Sequence, residues 1–365
     1  MIPVELYSKA YYFLLSAVVL LSILPLFFKQ TLDQFPKINL LTGTFLILLI
    51  CIGFIGLREP YASSIFLGDT ITYTRTFEKI DEVSVYDLKD LGFYAMMKFF
   101  AQFASVNVFY FFCAFLYVIP TFYTFKKWFG KYAFFALVSY VVSMSFWSFG
   151  INGLRNGIGV SFFIFALNFN KQKKIQILLM LIAISMHKSM ILPFIAYFIA
   201  SYYTDTKTYI KIWLFVAVLS FFIGRQFEGV ITDILISVGL NDDQRVSNMF
   251  ESEIEGNLVE RRYRIDFVIY SAIPIMLGYY YIYKKNFNDK LYEHLLNFYL
   301  IANTAWLVVI YGAFTNRTAF LSWFIMPILL CYPILKDKYL VPKQNLFLGI
   351  VLFFSLLFTL AIEFK

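Results

Sequence analysis

Charge and metal-ligating side chains are scarce in this chain. Only 15% of its 365 residues are charged, and it has two histidines and three cysteines. The two histidines, His187 and His294, fall on opposite sides of the topology derived below, and no HExxH or cysteine-pair spacing exists, so no metal site is expected. Cys51, Cys113 and Cys331 each lie inside an apolar run, which argues against a disulfide framework. The net charge of +8 has no domain-sized soluble basic region to carry it, so nucleic acid is not an expected partner.

What the chain has in abundance is apolar surface: 60% hydrophobic residues, 21% aromatic, and a mean hydropathy of +0.71. Apolar runs near 20 residues recur along its length, long enough to cross a bilayer as helices. They are continuous rather than alternating, which excludes a β-barrel. The expectation is an all-α polytopic membrane protein, a single integral membrane domain over residues 1–365. About 12 transmembrane helices are placed at 11–28, 38–57, 105–124, 132–149, 154–169, 175–187, 188–203, 211–225, 265–283, 291–310, 318–335 and 344–362. The first run ends in "FFKQ" without a small-residue cleavage site, so it is read as a span rather than a cleaved leader.

Short loops set the orientation. One alternating set carries clustered lysines, as in "KKWFGK", "KQKK" and "KKNFNDK", and is assigned to the cytoplasm. The other set has single cations, and the two long loops, 58–104 and 226–264, fall on its side, outside. All nine arginines gather on or near that outer side. Positive-inside bias gives arginine no reason to collect there, whereas its planar fork suits phosphate and carboxylate recognition. In the first loop, "YDLKDLGFYAMMKFFAQF" repeats Leu88, Leu91, Ala95, Phe99 and Phe103 at helical spacing, and "EGVITDILISVGL" in the second reads similarly. Both are expected as interfacial helices.

Four constellations bear chemistry on this outer face. In "GINGLRNGIGVSFF", Arg155 opens an inward-running helix, where free N–H groups and the dipole's positive end attract anions. Asn152 and Asn156 are placed to cap or donate there. The plainer alternative is an arginine snorkelling to lipid headgroups. Arg317, in "AFTNRTAFLSW", repeats the arrangement at a second inward helix, and the two are expected to converge on a diphosphate. His187, followed by Lys188 and Ser189 in "SMHKSM", stands at an outer turn as a candidate proton acceptor or hydroxyl-orienting group. Asp69, with Arg58 upstream and Tyr73 downstream, is the alternative base.

"GLREP…GDTITY" with "LGFYAMMK", then "LRNGIGVSFF", "SMHKSMIL" and "NRTAF", resemble in order the motifs of the EpsG group of Wzy-type polysaccharide polymerases. Departures are Asn156 where that group often has glutamine, Glu59 where aspartate is common, and Lys188 where an aromatic or small residue is frequent. The resemblance implies a GT-C-like, multi-pass glycosyltransferase of the bacterial cytoplasmic membrane, its active site facing the periplasm or outside. Such an enzyme transfers a growing glycan from undecaprenyl diphosphate to the non-reducing end of a lipid-linked repeat unit, without a cofactor. Donor and acceptor lipids are the implied partners, with a chain-length regulator and a flippase. The roles that follow are His187 or Asp69 as catalytic base and Arg155, Arg317 and Arg58 on the diphosphate, supported by Asn152, Asn156, Ser189 and Tyr73. Two alternatives remain: an O-antigen ligase, and a lipid-linked oligosaccharide flippase or transporter. The modest loops count against a ligase, and the absence of an internal repeat and of midplane charges counts against a transporter.

Overall fold

The computed structural model describes residues 2–28, 32–82, 84, 90–237, 253–254, 257–258, 263–312, 315–337, 340 and 343–364, with backbone only for 227–237 and the two pairs after it. Leu88 and most of the second long loop, with Arg245, Arg261 and Arg262, lie outside the described residues.

Helices make up the structure: α1 (Val4–Ile23), α2 (Lys37–Gly56), α3 (Ser64–Leu67), α4 (Thr70–Lys79), α5 (Leu91–Ala101), α6 (Val106–Phe129), α7 (Ala133–Val141), α8 (Met144–Ile151) and α9 (Leu154–Ala166) come first. They continue with α10 (Lys173–Met186), α11 (Ile191–Tyr202), α12 (Thr206–Ser237, kinked at Ile223), α13 (Ile265–Tyr279), α14 (Lys290–Val308), α15 (Thr315–Trp323), α16 (Met326–Lys336) and α17 (Gln344–Glu363). Apart from them there is a two-residue antiparallel ladder, Glu253–Ile254 against Asn257–Leu258.

Every segment expected as a span is helical, but among the described residues seven helices have the length and composition to cross a membrane. These are Val4–Phe27, Lys37–Gly56, Val106–Val141, Thr206–Gln226, Ile265–Lys284, Thr315–Lys336 and Gln344–Glu363. Two of the expected spans, 105–124 and 132–149, overlap the single run Val106–Val141, and four others lie outside the seven. Helices α9, α10 and α11 have 13, 14 and 12 residues, and at 1.5 Å per residue each reaches about 20 Å of a roughly 30 Å hydrocarbon core. Helix α14 is long enough, but Lys290, Glu293 and His294 sit in its first turns.

The helices gather into two compact units, residues 1–191 with 331–365, and residues 192–330. In the first, α6 packs against α2 and α9, and α9 against α10. Close approach there depends on glycine: a Cβ on Gly157 would stand 2.9 Å from the Phe149 carbonyl oxygen, and one on Gly159 3.0 Å from that of Ala183. Helix α5 buries Phe93 and Met97 completely and turns Leu91, Ala95 and Phe99 outward, and Phe103 in the turn after it is exposed too. The apolar stripe legible in the sequence is therefore the face that other helices do not cover.

In the second unit a buried polar cluster joins four helices. Asn303 of α14 accepts from the Trp213 indole at 2.7 Å and donates to Ser271 and Ser322, while Trp323 donates to Ser271 at 2.8 Å. In an apolar surround such bonds are favoured because an unpaired partner is costly.

Candidate functional site

Within the first unit, polar residues collect where helices begin and end. Helix α9 starts at Leu154, so Arg155 stands in its first turn as the sequence indicates. Its anionic partner belongs to the chain itself. Arg155 Nη1 donates to Asp90 Oδ2 at 2.6 Å, the arginine side chain being 16% exposed and the aspartate wholly buried. The same nitrogen donates to the Tyr94 hydroxyl at 3.2 Å. Two rings flank the guanidinium, with centroids 5.7 Å away for Tyr73 and 5.6 Å for Tyr94. Arg155 Nε is buried with no hydrogen-bond partner among the described residues. A donor left in that condition is open to an oxygen of a bound molecule.

Asp90 stands at the N-cap of α5 but spends its carboxylate elsewhere. Its Oδ1 accepts from the backbone N–H of Lys188 at 3.0 Å. One buried carboxylate thus joins the start of α5, the start of α9 and the turn after α10. Asp90 and Arg155 are both charged, so the pair is formally neutral. Lys188 is exposed, and its ammonium has no carboxylate partner among the described residues.

His187 ends α10 in extended conformation (φ −155°, ψ 122°) and opens a single 3₁₀ turn, Lys188–Met190. Its Nδ1 lies 2.6 Å from Ser189 Oγ and 3.2 Å from Ser189 N. Ser189 Oγ donates to Asn156 Oδ1 at 2.8 Å, which ties the histidine turn to α9, one residue beyond Arg155.

Asp69 precedes α4 and is exposed; its backbone N–H donates to Asn152 Oδ1 at 3.3 Å. One turn on, Tyr73 donates its hydroxyl to the Asn152 carbonyl at 3.1 Å. Burial pushes the Tyr73 hydroxyl's pKa up, and the neighbouring Arg155 offsets part of that. Gly68 makes the approach possible. Its φ of +49° is open to glycine, and a Cβ there would fall 1.3 Å from Asn152 Oδ1. Helix α4 is pinned from behind: Tyr110 donates to the Thr70 carbonyl at 2.8 Å, and Thr74 to the Pro60 carbonyl at 2.7 Å.

Arg58 is placed differently from the sequence expectation of a diphosphate ligand. It is 1% exposed. Its donors meet the carbonyls of Ile55 at 2.7 Å, Gly150 at 2.6 Å and Ile151 at 3.2 Å, and Tyr110 lies under the guanidinium. These carbonyls end α2 and α8, where intrahelical partners run out and the dipole is negative. Arg58 caps two helices rather than facing an open site. Arg317 is exposed in the first turn of α15, in the second unit.

The structure therefore brings together Arg155, His187, Asp69, Asn152, Asn156, Ser189 and Tyr73, all foreseen, and adds Asp90, Tyr94 and Lys188. The signal for Asp90 was present in "DLKDLGFY", an acid opening a helix, but nothing in the linear sequence pairs it with a residue 65 positions on. Among the described residues no group of histidine, cysteine and acidic side chains has metal-site geometry.

No curated protein and no solved structure matches the chain. Residues 45–364 match the EpsG family, a range that takes in every residue of this cluster. With its apolar helices and a match over most of its length, the chain belongs to the EpsG family of polysaccharide-related membrane proteins.

Proposed function

We propose that the protein is a Wzy-type polysaccharide polymerase of the bacterial cytoplasmic membrane, working on its outer side. The reading rests above all on Arg155: a guanidinium fixed by a buried carboxylate, with a buried unpartnered Nε, in the first turn of a helix and beside a histidine turn. Family membership and the clustering of arginine in the loops read as external support it.

In the proposed reaction a hydroxyl of the acceptor sugar attacks the donor's anomeric carbon. A new carbon–oxygen bond forms, the bond from that carbon to the diphosphate oxygen breaks, and the lipid diphosphate leaves with the bonding pair. Arg155 stabilises the charge that grows on the leaving group, a contribution larger in the transition state than in the ground state. Because Asp90 neutralises Arg155, Lys188 supplies the surplus positive charge that draws the diphosphate in. His187 takes the hydroxyl proton, and exposed Asp69 is the second candidate for that step. Tyr73 and Tyr94 hold the guanidinium in place.

The test is polymerisation of a lipid-linked repeat unit by purified protein in liposomes. Arg155→Ala and His187→Ala should each lower turnover on the order of 10²-fold or more. Full activity in both would overturn the proposal. Transfer of finished glycan to a non-repeat acceptor, with no chain growth, would point instead to a ligase, and movement of the lipid without bond formation to a flippase.

A further inference from the structure

We infer that the isoprenoid chain of the lipid-linked donor lies along the uncovered ridge of α10, and that its diphosphate enters the Arg155 cluster from that ridge, below the ordinary headgroup level. The identity of the lipid rests on the polymerase reading. Depth is read from α6 and α9, antiparallel neighbours whose contacts fix their register. Lys127 donates to the Asn168 carbonyl at 3.1 Å, Thr121 donates to Ser161 Oγ at 3.1 Å, and a Cβ on Gly157 would stand 3.1 Å from the Tyr117 ring. From Tyr117, α6 continues 11 residues to Val106, whereas from Gly157, α9 continues three to Leu154. At 1.5 Å per residue, α9 therefore begins about 12 Å short of the end of α6. Because α6 opens a run of crossing length, the first turn of α9, with Arg155, lies at the depth of acyl chains.

Helix α10 brings the same deficit to the lipid. It buries Gln176, Met180 and Ala183, and its opposite ridge reads Lys174, Leu178, Leu181 and Lys188, all exposed and on one helical face. Lys174 and Lys188 are 14 residues apart in sequence, which is about 21 Å of helix against a hydrocarbon core of roughly 30 Å. A lipid packed on this ridge dips to bring its phosphate to Lys188. Gly92 of α5 abuts Ser185, and Asp90 accepts from the Lys188 N–H, so exposed Leu91 stands beside the top of the ridge. Two donors lie where the ridge ends: the Lys188 ammonium, and the buried Nε of Arg155 that has no hydrogen-bond partner among the described residues. A diphosphate has anionic oxygens enough for both, and a phospholipid's single phosphodiester is the poorer match. That charge complementarity, and the continuity of the ridge with the cluster, select the donor's chain over bulk acyl chains.

The experiment is photolabelling of the wild-type, full-length protein in lipid nanodiscs. The probe is undecaprenyl diphosphate with a diazirine in its chain and no sugar, and labelled residues are mapped by mass spectrometry. Labelling should concentrate on Leu91, Leu178 and Leu181 and be competed away by unmodified undecaprenyl diphosphate. Label spread evenly to lipid-facing residues of α2 and α17, such as Leu49 and Phe354, overturns the inference. Equal labelling of the ridge by a diazirine phosphatidylglycerol overturns it too, since the ridge would then hold ordinary boundary lipid. In the polymerisation assay, Leu178→Ala with Leu181→Ala should raise KM about fivefold for the long-chain donor and leave KM unchanged for a donor on a geranyl-length chain. An unchanged KM for the long-chain donor, or an equal rise for both, counts against the ridge. The wild-type labelling decides where the variant fails to fold. Ridge labelling in a protein without transferase activity would keep the lipid track and remove the polymerase reading alone, whereas chain growth with label elsewhere would remove the track alone.

Discussion

Asp90 and Arg155 face each other across 65 residues of sequence, Oδ2 to Nη1 at 2.6 Å, with the carboxylate wholly buried. Because such a pair is desolvated, breaking it is costlier than losing an exposed one, about 3–5 kcal/mol when one partner is left charged and alone. Asp90→Ala should therefore lower thermal stability in detergent more than Arg155→Ala, because it also strands the Lys188 N–H. The double variant should recover part of the loss, as a double-mutant cycle of melting curves would read. Additive losses would show the two side chains to be energetically independent.

Lys188 brings a charge that Asp90 does not match. Lys188→Ala should raise KM for the lipid-diphosphate donor about tenfold while leaving kcat near wild type, since the ammonium acts in capture rather than on the reacting bond. Lys188→Arg should behave nearly as wild type, and the Lys188→Ala defect should shrink as salt rises. A fall in kcat alone would contradict this division of labour.

Gly68 has no tolerated replacement. The positive φ costs a Cβ-bearing residue about 1–2 kcal/mol, and the methyl of Gly68→Ala would collide with the Asn152 amide in addition. Loss of activity is expected with α4 displaced, measurable as faster proteolysis between residues 60 and 80. Asn152→Ala, Gly68→Ala should be better tolerated than Gly68→Ala alone.

Arg58→Ala should act on stability before chemistry. It leaves three helix-terminal carbonyls without their donor in a dry setting, a penalty of about 1–3 kcal/mol each before relaxation. Melting temperature and folded yield should fall sharply, while the surviving folded fraction keeps its KM. A selective rise in KM would restore Arg58 to the binding role that the sequence suggested.

Arg317 is tested separately, because its role is carried by "NRTAF" alone. Arg317→Ala should lower turnover on the order of 10²-fold if the guanidinium meets the diphosphate, and lysine should restore only part of it. Unaltered turnover in Arg317→Ala removes it from the reaction without touching the Arg155 cluster.

Much of the site was legible because its residues interrupt apolar runs at helix boundaries, where polar side chains are conspicuous. Arg155, His187, Asn152, Asn156, Ser189, Asp69 and Tyr73 all carry that mark, and all fall in one cluster. Tyr94 does not, and Asp90 carries it with no sign of its partner. They belong to a loop helix whose docking is a long-range event, and local pattern says nothing about its destination. Arg58 misled for a related reason, since a cation after a span looks the same whether it faces water or two helix ends. Among the described residues seven helices have crossing length and composition, whereas α9, α10 and α11 are apolar yet short, a distinction that hydropathy alone blurs.

The three-way grip of Asp90 also orders events in time. Two of its partners, Arg155 and Lys188, are 65 and 98 residues downstream, so a chain emerging from the ribosome cannot complete both bonds until the His187 turn has been made. Loop closures of that span are slow compared with helix formation. Until about half of the polypeptide has been synthesised, α5 can pack on α4 and α6 but lacks its contacts with α10, and completion of its seat becomes a late checkpoint in biogenesis.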